Sequence, residues 1–153
     1  MKVLMQYLSV AGAGAVGAAF RFFIASVCGA IFRTTFPVGT FVINISGSLF
    51  LGWFLAFTRN RIVVFDTVRL GIAVGFVGAY TTFSTFMYES NALFESGSSI
   101  KAMGNLIGSL VVGLIAVRFG IWVGERRVFW ASRFCCGYIC KARTGRRTRR
   151  PMS

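Results

Sequence analysis

The stretch "GAYTTFSTF", residues 78–86, places five hydroxyl side chains inside the third long apolar run of the chain. A helix that crosses a bilayer normally avoids such a cluster, because unbonded polar groups are costly in hydrocarbon. Gly71, Gly75 and Gly78 lead into the cluster and make a regular helix less stable there. We therefore predict that the third helix is broken near Gly78 to Thr82, and that the hydroxyls satisfy backbone groups freed by the break.

The composition of the whole chain is that of a membrane protein. Its 153 residues are 56% hydrophobic, with no His and only 4 acidic side chains, which is far from the average soluble domain. Apolar runs of about 20 residues, long enough to cross a bilayer, cover residues 3–27, 38–57, 68–92 and 102–123. The first run continues past its small residues, so we predict an uncleaved span rather than a signal peptide. The sequence predicts an all-α protein with four transmembrane helices in the plasma or inner membrane, and no aqueous enzyme domain.

The chain changes character after the fourth span, which divides it into a four-span domain at 1–124 and a tail at 125–153. From Arg126 onward the tail holds nine Lys or Arg and no acid. Such a segment buries too little apolar surface to fold alone, so we predict disorder on a surface of anionic membrane lipids. A nucleic-acid arm is the alternative, but attraction to lipid, about 1 kcal/mol for each basic residue, suffices without that partner.

Each of the last three spans carries a narrow row of hydrogen-bonding side chains, spaced so that the row lies on one helical face. The rows are Thr40, Asn44 and Ser48; Thr82, Thr85 and Glu89; and Asn105 and Ser109. Phe83 and Phe86 share the face beside the second row. For Asn44, bonding between helices and donation to a permeating acceptor both remain open. Rows of donors without buried cations suit a small anion that must be dehydrated but not trapped.

The first span carries Gly12, Gly14 and Gly17, followed by Arg21. Small residues let helix backbones approach closely, so we predict that this face packs on another helix. The guanidinium of Arg21 either reaches the lipid headgroups or lines a wet cavity, and its position alone leaves both open.

Four segments resemble, in order and separation, the signatures of the CrcB/Fluc family of fluoride channels. They are "GAVGAAFR" (14–21), "FPVGTFVINISGS" (36–48), "GFVGAYTTFSTFMYE" (75–89) and "NLIGSLVVGL" (105–114). The resemblance covers about residues 5–124 and leaves the basic tail outside. It implies a channel that exports fluoride passively from the cytoplasm and so relieves fluoride toxicity. It also implies an antiparallel dimer with two pores and a structural sodium ion at its centre.

The resemblance further implies roles for individual residues. The backbone carbonyls of Gly78 and Thr81 match the positions that hold the sodium ion, and Arg21 matches a basic residue near the aqueous vestibule. The residues that match the pore are Asn44, the aromatic pair Phe83 and Phe86, and the polar track of Thr82, Thr85, Glu89 and Ser109. Ala13 and Ala79 depart from the family pattern, because members commonly have Gly there.

Two other functions remain open. A small multidrug-resistance-type transporter also has four spans, but it uses a carboxylate in the first span, where this chain has no acid. A membrane tether would act through the basic tail and would lose its function when the residues after Arg127 are deleted.

The basic residues also predict an orientation. An even number of spans places both termini and the second loop on one side of the membrane. Lys2, Arg59, Arg61, Arg69 and the tail lie on that side, and Arg33 and Lys101 lie on the other. The positive-inside rule therefore predicts both termini in the cytoplasm. Since an antiparallel dimer needs both orientations, the partner is either an oppositely oriented homologue or the same chain with dual topology.

Overall fold

The chain folds into helices joined by short connections. The computed structural model describes residues 1–59 and 65–144, and for residues 127–144 it describes the backbone helix alone. The elements are α1 (Lys2–Ile31), α2 (Val38–Arg59), α3 (Asp66–Leu70), a π-helical turn (Gly71–Phe76), α4 (Val77–Tyr80), α5 (Phe83–Glu95) and α6 (Ser99–Thr144).

Within the described residues, four helical stretches are long and apolar enough to cross a membrane. They are Lys2–Ile31, Val38–Arg59, Asp66–Glu95 and Ser99–Arg126. Each stretch contains the whole of the corresponding apolar run in the sequence and extends it by a few residues. The predicted all-α architecture with four transmembrane helices is therefore confirmed, and the chain is a multi-pass membrane protein.

The third span is interrupted near its middle. α4 ends at Tyr80 and α5 begins at Phe83. Between them Thr81 (φ −77°, ψ 154°) and Thr82 (φ −145°, ψ 114°) have extended backbones, a conformation that β-branched residues favour. The predicted break is confirmed, and it is confined to these two residues. The π-helical turn that precedes α4 was not predicted, although its widened backbone lies just before the break.

Close backbone contacts join α1 to the third span. The two glycines of α1 that face this span are Gly14 and Gly17. A Cβ added at Gly17 would collide with the carbonyl oxygen of Phe76, and one at Gly14 would lie 3.6 Å from the carbonyl oxygen of Gly75. The predicted packing of the glycine face is confirmed for these two positions. It does not hold within the chain for Gly12, where an added Cβ would meet no atom within 4 Å.

The second pair of closely packed helices is α2 and α6. A Cβ at Gly52 of α2 would collide with the carbonyl oxygen of Val117, and one at Gly120 of α6 would collide with that of Leu49. Without a hydrophobic driving force between helices in lipid, such close approach supplies much of the association energy. The polar face of α2 is thereby held next to both α6 and the broken third span.

The last helix continues past the fourth span into the first part of the tail, the segment for which the sequence predicts disorder on a lipid surface. α6 runs without interruption from Ser99 to Thr144. Extending a formed helix fixes one residue for each new hydrogen bond, which is far easier than nucleating a new helix. Residues 125–144 contain no Pro and a single Gly, Gly137, so nothing in the sequence stops this extension. Residues 145–153 lie outside the described part of the chain.

Candidate functional site

The side chain of Asn44 on α2 forms hydrogen bonds with both the backbone amide and the backbone carbonyl of Thr82. The Thr82 amide donates to Asn44 Oδ1 at 2.9 Å, and Asn44 Nδ2 donates to the Thr82 carbonyl at 3.1 Å. In a continuous helix the Thr82 amide would donate to the carbonyl of Gly78. The carboxamide thus supplies the acceptor that the Thr82 amide has lost, and it adds a donor to the Thr82 carbonyl, which as the N-cap carbonyl also begins the hydrogen bonding of α5.

The hydroxyl groups around the break also bond the backbone, as predicted. Thr81 Oγ1 donates to the Val77 carbonyl at 2.9 Å. Thr82 is the N-cap of α5, because its Oγ1 accepts from the Thr85 amide at 3.4 Å and donates to Thr85 Oγ1 at 2.9 Å. The Tyr80 hydroxyl lies 2.8 Å from Ser46 Oγ on α2. These bonds explain how the polar cluster of residues 80–85 is accommodated inside an apolar span.

The same rearrangement takes the usual helical donors away from carbonyls at the end of α4, among them those of Gly78 and Thr81. In an α-helix each carbonyl accepts from the amide four residues later, so the donors for Gly78 and Thr81 would be Thr82 and Thr85. The Thr82 amide instead donates to Asn44, and the Thr85 amide donates to Thr82 Oγ1. The freed carbonyls thus include those of Gly78 and Thr81, the two residues that the family resemblance assigns to sodium.

A cavity of about 320 Å³ opens beside the break, between α2, the third span and α6. Five predicted pore residues line it: Asn44, Thr82, Phe83, Phe86 and Ser109. The other lining residues are Gly47, Ser48, Leu51, Val77, Thr81 and Leu110. None of these described lining residues is ionisable, so the cavity offers polar groups without a formal charge.

The two phenylalanines of the cavity differ in their exposure. Phe86 is 5% exposed and packs into the chain, whereas Phe83 is 73% exposed at the start of α5. Their ring centroids lie 6.2 Å apart, with an angle of 51° between the ring planes. A tilted pair directs ring edges, which carry partial positive charge, and ring faces in different directions.

Three of the residues that the resemblance assigns to the pore or its vestibule lie outside the cavity lining: Thr85, Glu89 and Arg21. Thr85 is exposed on α5 and bonds Thr82. Glu89 is half-buried and faces the Thr40 hydroxyl of α2, and its Oε2 has no hydrogen-bond partner among the described residues. Arg21 is half-buried on α1. It follows Phe20, whose ring centroid lies 5.5 Å from the ring centroid of Tyr80. The structure therefore brings Asn44 and the two Phe residues to one cavity, and neither Glu89 nor Arg21 is among the residues that line it.

A buried network joins α6 to α5 below the cavity. Asn105, only 1% exposed, donates through Nδ2 to Ser90 Oγ at 2.9 Å, and Ser90 Oγ donates to the Phe86 carbonyl at 2.7 Å. Ser109 Oγ donates to Asn105 Oδ1 at 3.4 Å. The network positions Phe86 and Ser109 relative to each other. The four-residue spacing of Asn105 and Ser109 signalled part of it, whereas nothing in the sequence singled out Ser90.

Replacing Asn44 by Ala should destabilise the fold by about 1–3 kcal/mol, because it leaves the Thr82 amide unsatisfied and removes one bond from the Thr82 carbonyl. Asn91→Ala is the matched control, since Asn91 Nδ2 bonds Glu95 Oε1 at an exposed site and its loss should cost less than about 0.5 kcal/mol. Unfolding in detergent measures both. Equal effects of the two variants would contradict a structural role of Asn44.

Comparison with known proteins places these features in a family. Residues 8–121 match the family described as CrcB-like protein, Camphor Resistance (CrcB). A relative from Chloroflexus aurantiacus, named fluoride-specific ion channel FluC, is 42% identical over 118 residues, which cover 77% of this chain and 94% of the relative. A relative of the same name from Koribacter versatilis is 44% identical over 114 residues, which cover 74% and 90%.

A more distant relative with the same name, from Aquifex aeolicus, is 36% identical over 117 residues, which cover 76% of this chain and 94% of the relative. The family match contains all four spans except the ends of the first and last. It also contains the break, Asn44 and the cavity residues, and it leaves the basic tail outside. On this evidence the chain belongs to the CrcB-like protein family.

Proposed function

We propose that the chain forms a fluoride-selective ion channel that releases fluoride passively from the cytoplasm and so relieves fluoride toxicity. The observation that carries the proposal is the uncharged polar cavity beside the break, lined by Asn44, Phe83, Phe86 and Ser109. The relatives support it, because they are named fluoride-specific ion channels. Their names describe channels, so we propose a channel and not an enzyme.

The chemistry of the cavity suits a small, strongly hydrated anion. Such an ion enters only when hydrogen-bond donors replace its water. Asn44 uses one amide hydrogen on Thr82, which leaves the second for an anion. The Ser109 hydroxyl is held by a long bond of 3.4 Å, which it can exchange for a bond to an ion. The exposed Phe83 ring adds a weakly positive edge. Without a cation in the lining, the ion is not held too tightly to leave.

The direction of flow needs no coupled energy source. Hydrogen fluoride crosses membranes as a neutral molecule and dissociates in the cytoplasm. A membrane potential that is negative inside favours exit of the anion by about 2.3 kcal/mol per 100 mV. Passive conduction therefore lowers the cytoplasmic concentration of fluoride.

The alternatives are less well supported. A multidrug-resistance-type exchanger needs a carboxylate in its substrate site, and Glu89 lies outside the cavity lining. A membrane tether would depend on the tail, which lies outside the family match. Deleting the residues after Arg127 separates these ideas, because a channel keeps its flux and a tether loses its function.

Phe83→Ile and Phe86→Ile should each lower fluoride efflux by about tenfold or more, equivalent to a barrier about 1.4 kcal/mol higher. The substitutions keep much of the volume, so stability should change by less than about 1.5 kcal/mol. Phe94→Ile on the same helix, away from the cavity lining, is the control and should conduct normally. Efflux is measured with a fluoride electrode from liposomes that carry the purified protein and any partner chain that co-purifies, with chloride for comparison. Normal efflux from both cavity variants would refute the pore assignment.

The freed carbonyls support a second part of the proposal, a structural sodium ion at the centre of a dimer. Carbonyl oxygens at a helix break are suitable ligands for an alkali cation. Gly78 is exposed, and an added Cβ there would meet no atom within 4 Å, so its carbonyl region is accessible to a second subunit. Bound between the broken helices of two subunits, sodium would supply positive charge that holds the freed carbonyls of Gly78 and Thr81 together.

Replacing sodium by N-methylglucamine should lower the thermal stability of the dimer, because a cation that binds only the assembled state stabilises it by mass action. Stability should return when sodium is added back and should rise with its concentration. Dimer content and melting temperature are measured in detergent after long dialysis. If both are the same with and without sodium, these carbonyls do not hold the ion.

We further propose that the channel is an antiparallel dimer. Gly12 on α1 and Gly104 and Gly108 on α6 are open to the outside of the chain, since an added Cβ would meet no atom within 4 Å. Such positions allow another helix to approach closely. Because the basic residues favour one orientation of this chain, the proposed partner is a homologue inserted the opposite way.

A tag at Ser153 should be inaccessible from outside intact cells, since the positive-inside rule places both termini in the cytoplasm. A matched tag in the loop near Thr35, on the opposite side, should be accessible. Labelling with a membrane-impermeant reagent measures both. Comparable labelling of the two tags, together with fluoride flux from this chain alone, would establish a dual-topology homodimer and overturn the two-chain proposal.

A further inference from the structure

The outer face of α6 carries a tryptophan with one arginine a turn before it and another a turn after it. Arg118, Trp122 and Arg126 follow one another at four-residue intervals, and all three are exposed, so they form one stripe along the helix. The guanidinium of Arg126 lies 3.9 Å from the centre of the Trp122 ring. Because of this contact, the positive charge of Arg126 lies about one helical turn towards the start of α6, at the depth of the Trp122 ring. Trp residues concentrate at the level of the lipid headgroups, so the Arg126 charge lies at that level, and the long side chain of Arg118, one turn away, can extend towards it.

Two adjoining hollows lie along this stripe. One, of about 680 Å³, is lined by both polar and apolar residues, among them Arg118, Trp122 and Glu125. The other, of about 300 Å³, lies between α2 and α6 and is lined mainly by apolar residues, including Leu49, Phe50, Trp53 and Val123. Phe119 borders both hollows. A charged region continuous with an apolar groove is the shape of a site for an amphipathic molecule.

The direction of the apolar groove matches the arginine stripe. The contacts of Gly113 with Ile45 and of Gly124 with Ala56 show that α2 and α6 run parallel. The groove therefore extends from Trp53 and Val123, near the span ends at Arg59 and Arg126, inward towards Ser46. A lipid with its headgroup at the arginines would therefore have an acyl chain that lies along the groove and points into the membrane.

We infer that this face binds an anionic phospholipid, with its phosphate between Arg118 and Arg126 and one acyl chain in the groove between α2 and α6. Charge complementarity favours this lipid. The positive charges of Arg118, Arg126 and the basic tail outnumber the single negative charge of Glu125 beside the site. Arginine recognises phosphate through paired hydrogen bonds. The proposed lipid site is distinct from the cavity beside the break. Lipid binding there is therefore measured independently of fluoride flux.

Fluorescence quenching of Trp122 by brominated lipid tests the inference. The full-length chain, with Trp53→Phe and Trp130→Phe so that Trp122 is the single emitter, is placed in phosphatidylcholine vesicles that contain a minor fraction of phosphatidylglycerol. Bromine is carried either by the phosphatidylglycerol or by an equal amount of the phosphatidylcholine. We expect phosphatidylglycerol to be enriched at Trp122 by about fivefold, the attraction typical of one basic residue near an anionic lipid. Equal quenching by the two lipids would overturn the inference.

Charge variants separate a defined site from diffuse attraction. Arg118→Gln with Arg126→Gln should reduce the enrichment to near one, whereas replacing both by Lys should retain most of it. Glu125→Gln should raise the enrichment, because it removes the one opposing charge. Arg133→Gln with Lys141→Gln removes the same charge further along α6 and should have a smaller effect. If this control pair acts as strongly as the first pair, the attraction belongs to the tail as a whole and the inference is wrong. If neither lipid quenches Trp122, another protein surface covers the face and the inference is also wrong.

Discussion

The pairing of one carboxamide with one backbone residue sustains the interruption of the third span. An unbonded amide or carbonyl inside a bilayer costs several kcal/mol, so a helix cannot be broken there unless other groups replace the lost bonds. Asn44 provides the replacement acceptor for the Thr82 amide and also bonds the Thr82 carbonyl, and the Thr82 hydroxyl caps α5. Because Asn44 belongs to α2, the break depends on a neighbouring helix and not on the third span alone.

Close packing places Asn44 where this pairing is possible. Gly47, one turn after Asn44, lies against the third span, and an added Cβ would collide with Cγ2 of Thr81. The contacts of Gly52 and Gly120 bring α2 equally close to α6. In lipid such approaches supply van der Waals contact that larger side chains would prevent. Glycines on three helices thus support one hydrogen-bonded break and the cavity beside it.

Charge is distributed differently in the middle and at one end of the molecule. The described residues that line the cavity are uncharged, whereas Arg118, Arg126 and the tail concentrate positive charge where α6 leaves the span. An uncharged interior lets an ion pass without being held, because binding there must be weak enough to reverse. At the basic end, positive charge would be favourable beside anionic headgroups. Conduction and the proposed lipid binding would therefore use separate surfaces of the chain.

Hydropathy, composition and side-chain spacing by themselves determined the four spans, the break after Gly78 and the concentration of basic charge, because each is a property of a local segment. The spacing of Asn44, Thr82 and Ser109 likewise marked the polar faces. Only the tertiary structure decided that Asn44 bonds the Thr82 backbone, that Ser90 joins Asn105 to Phe86, and that Glu89 lies outside the cavity lining. Those outcomes depend on which helices become neighbours and at what depth. A single helical face does not specify its neighbour, since the same polar row can bond another helix, the backbone or an ion.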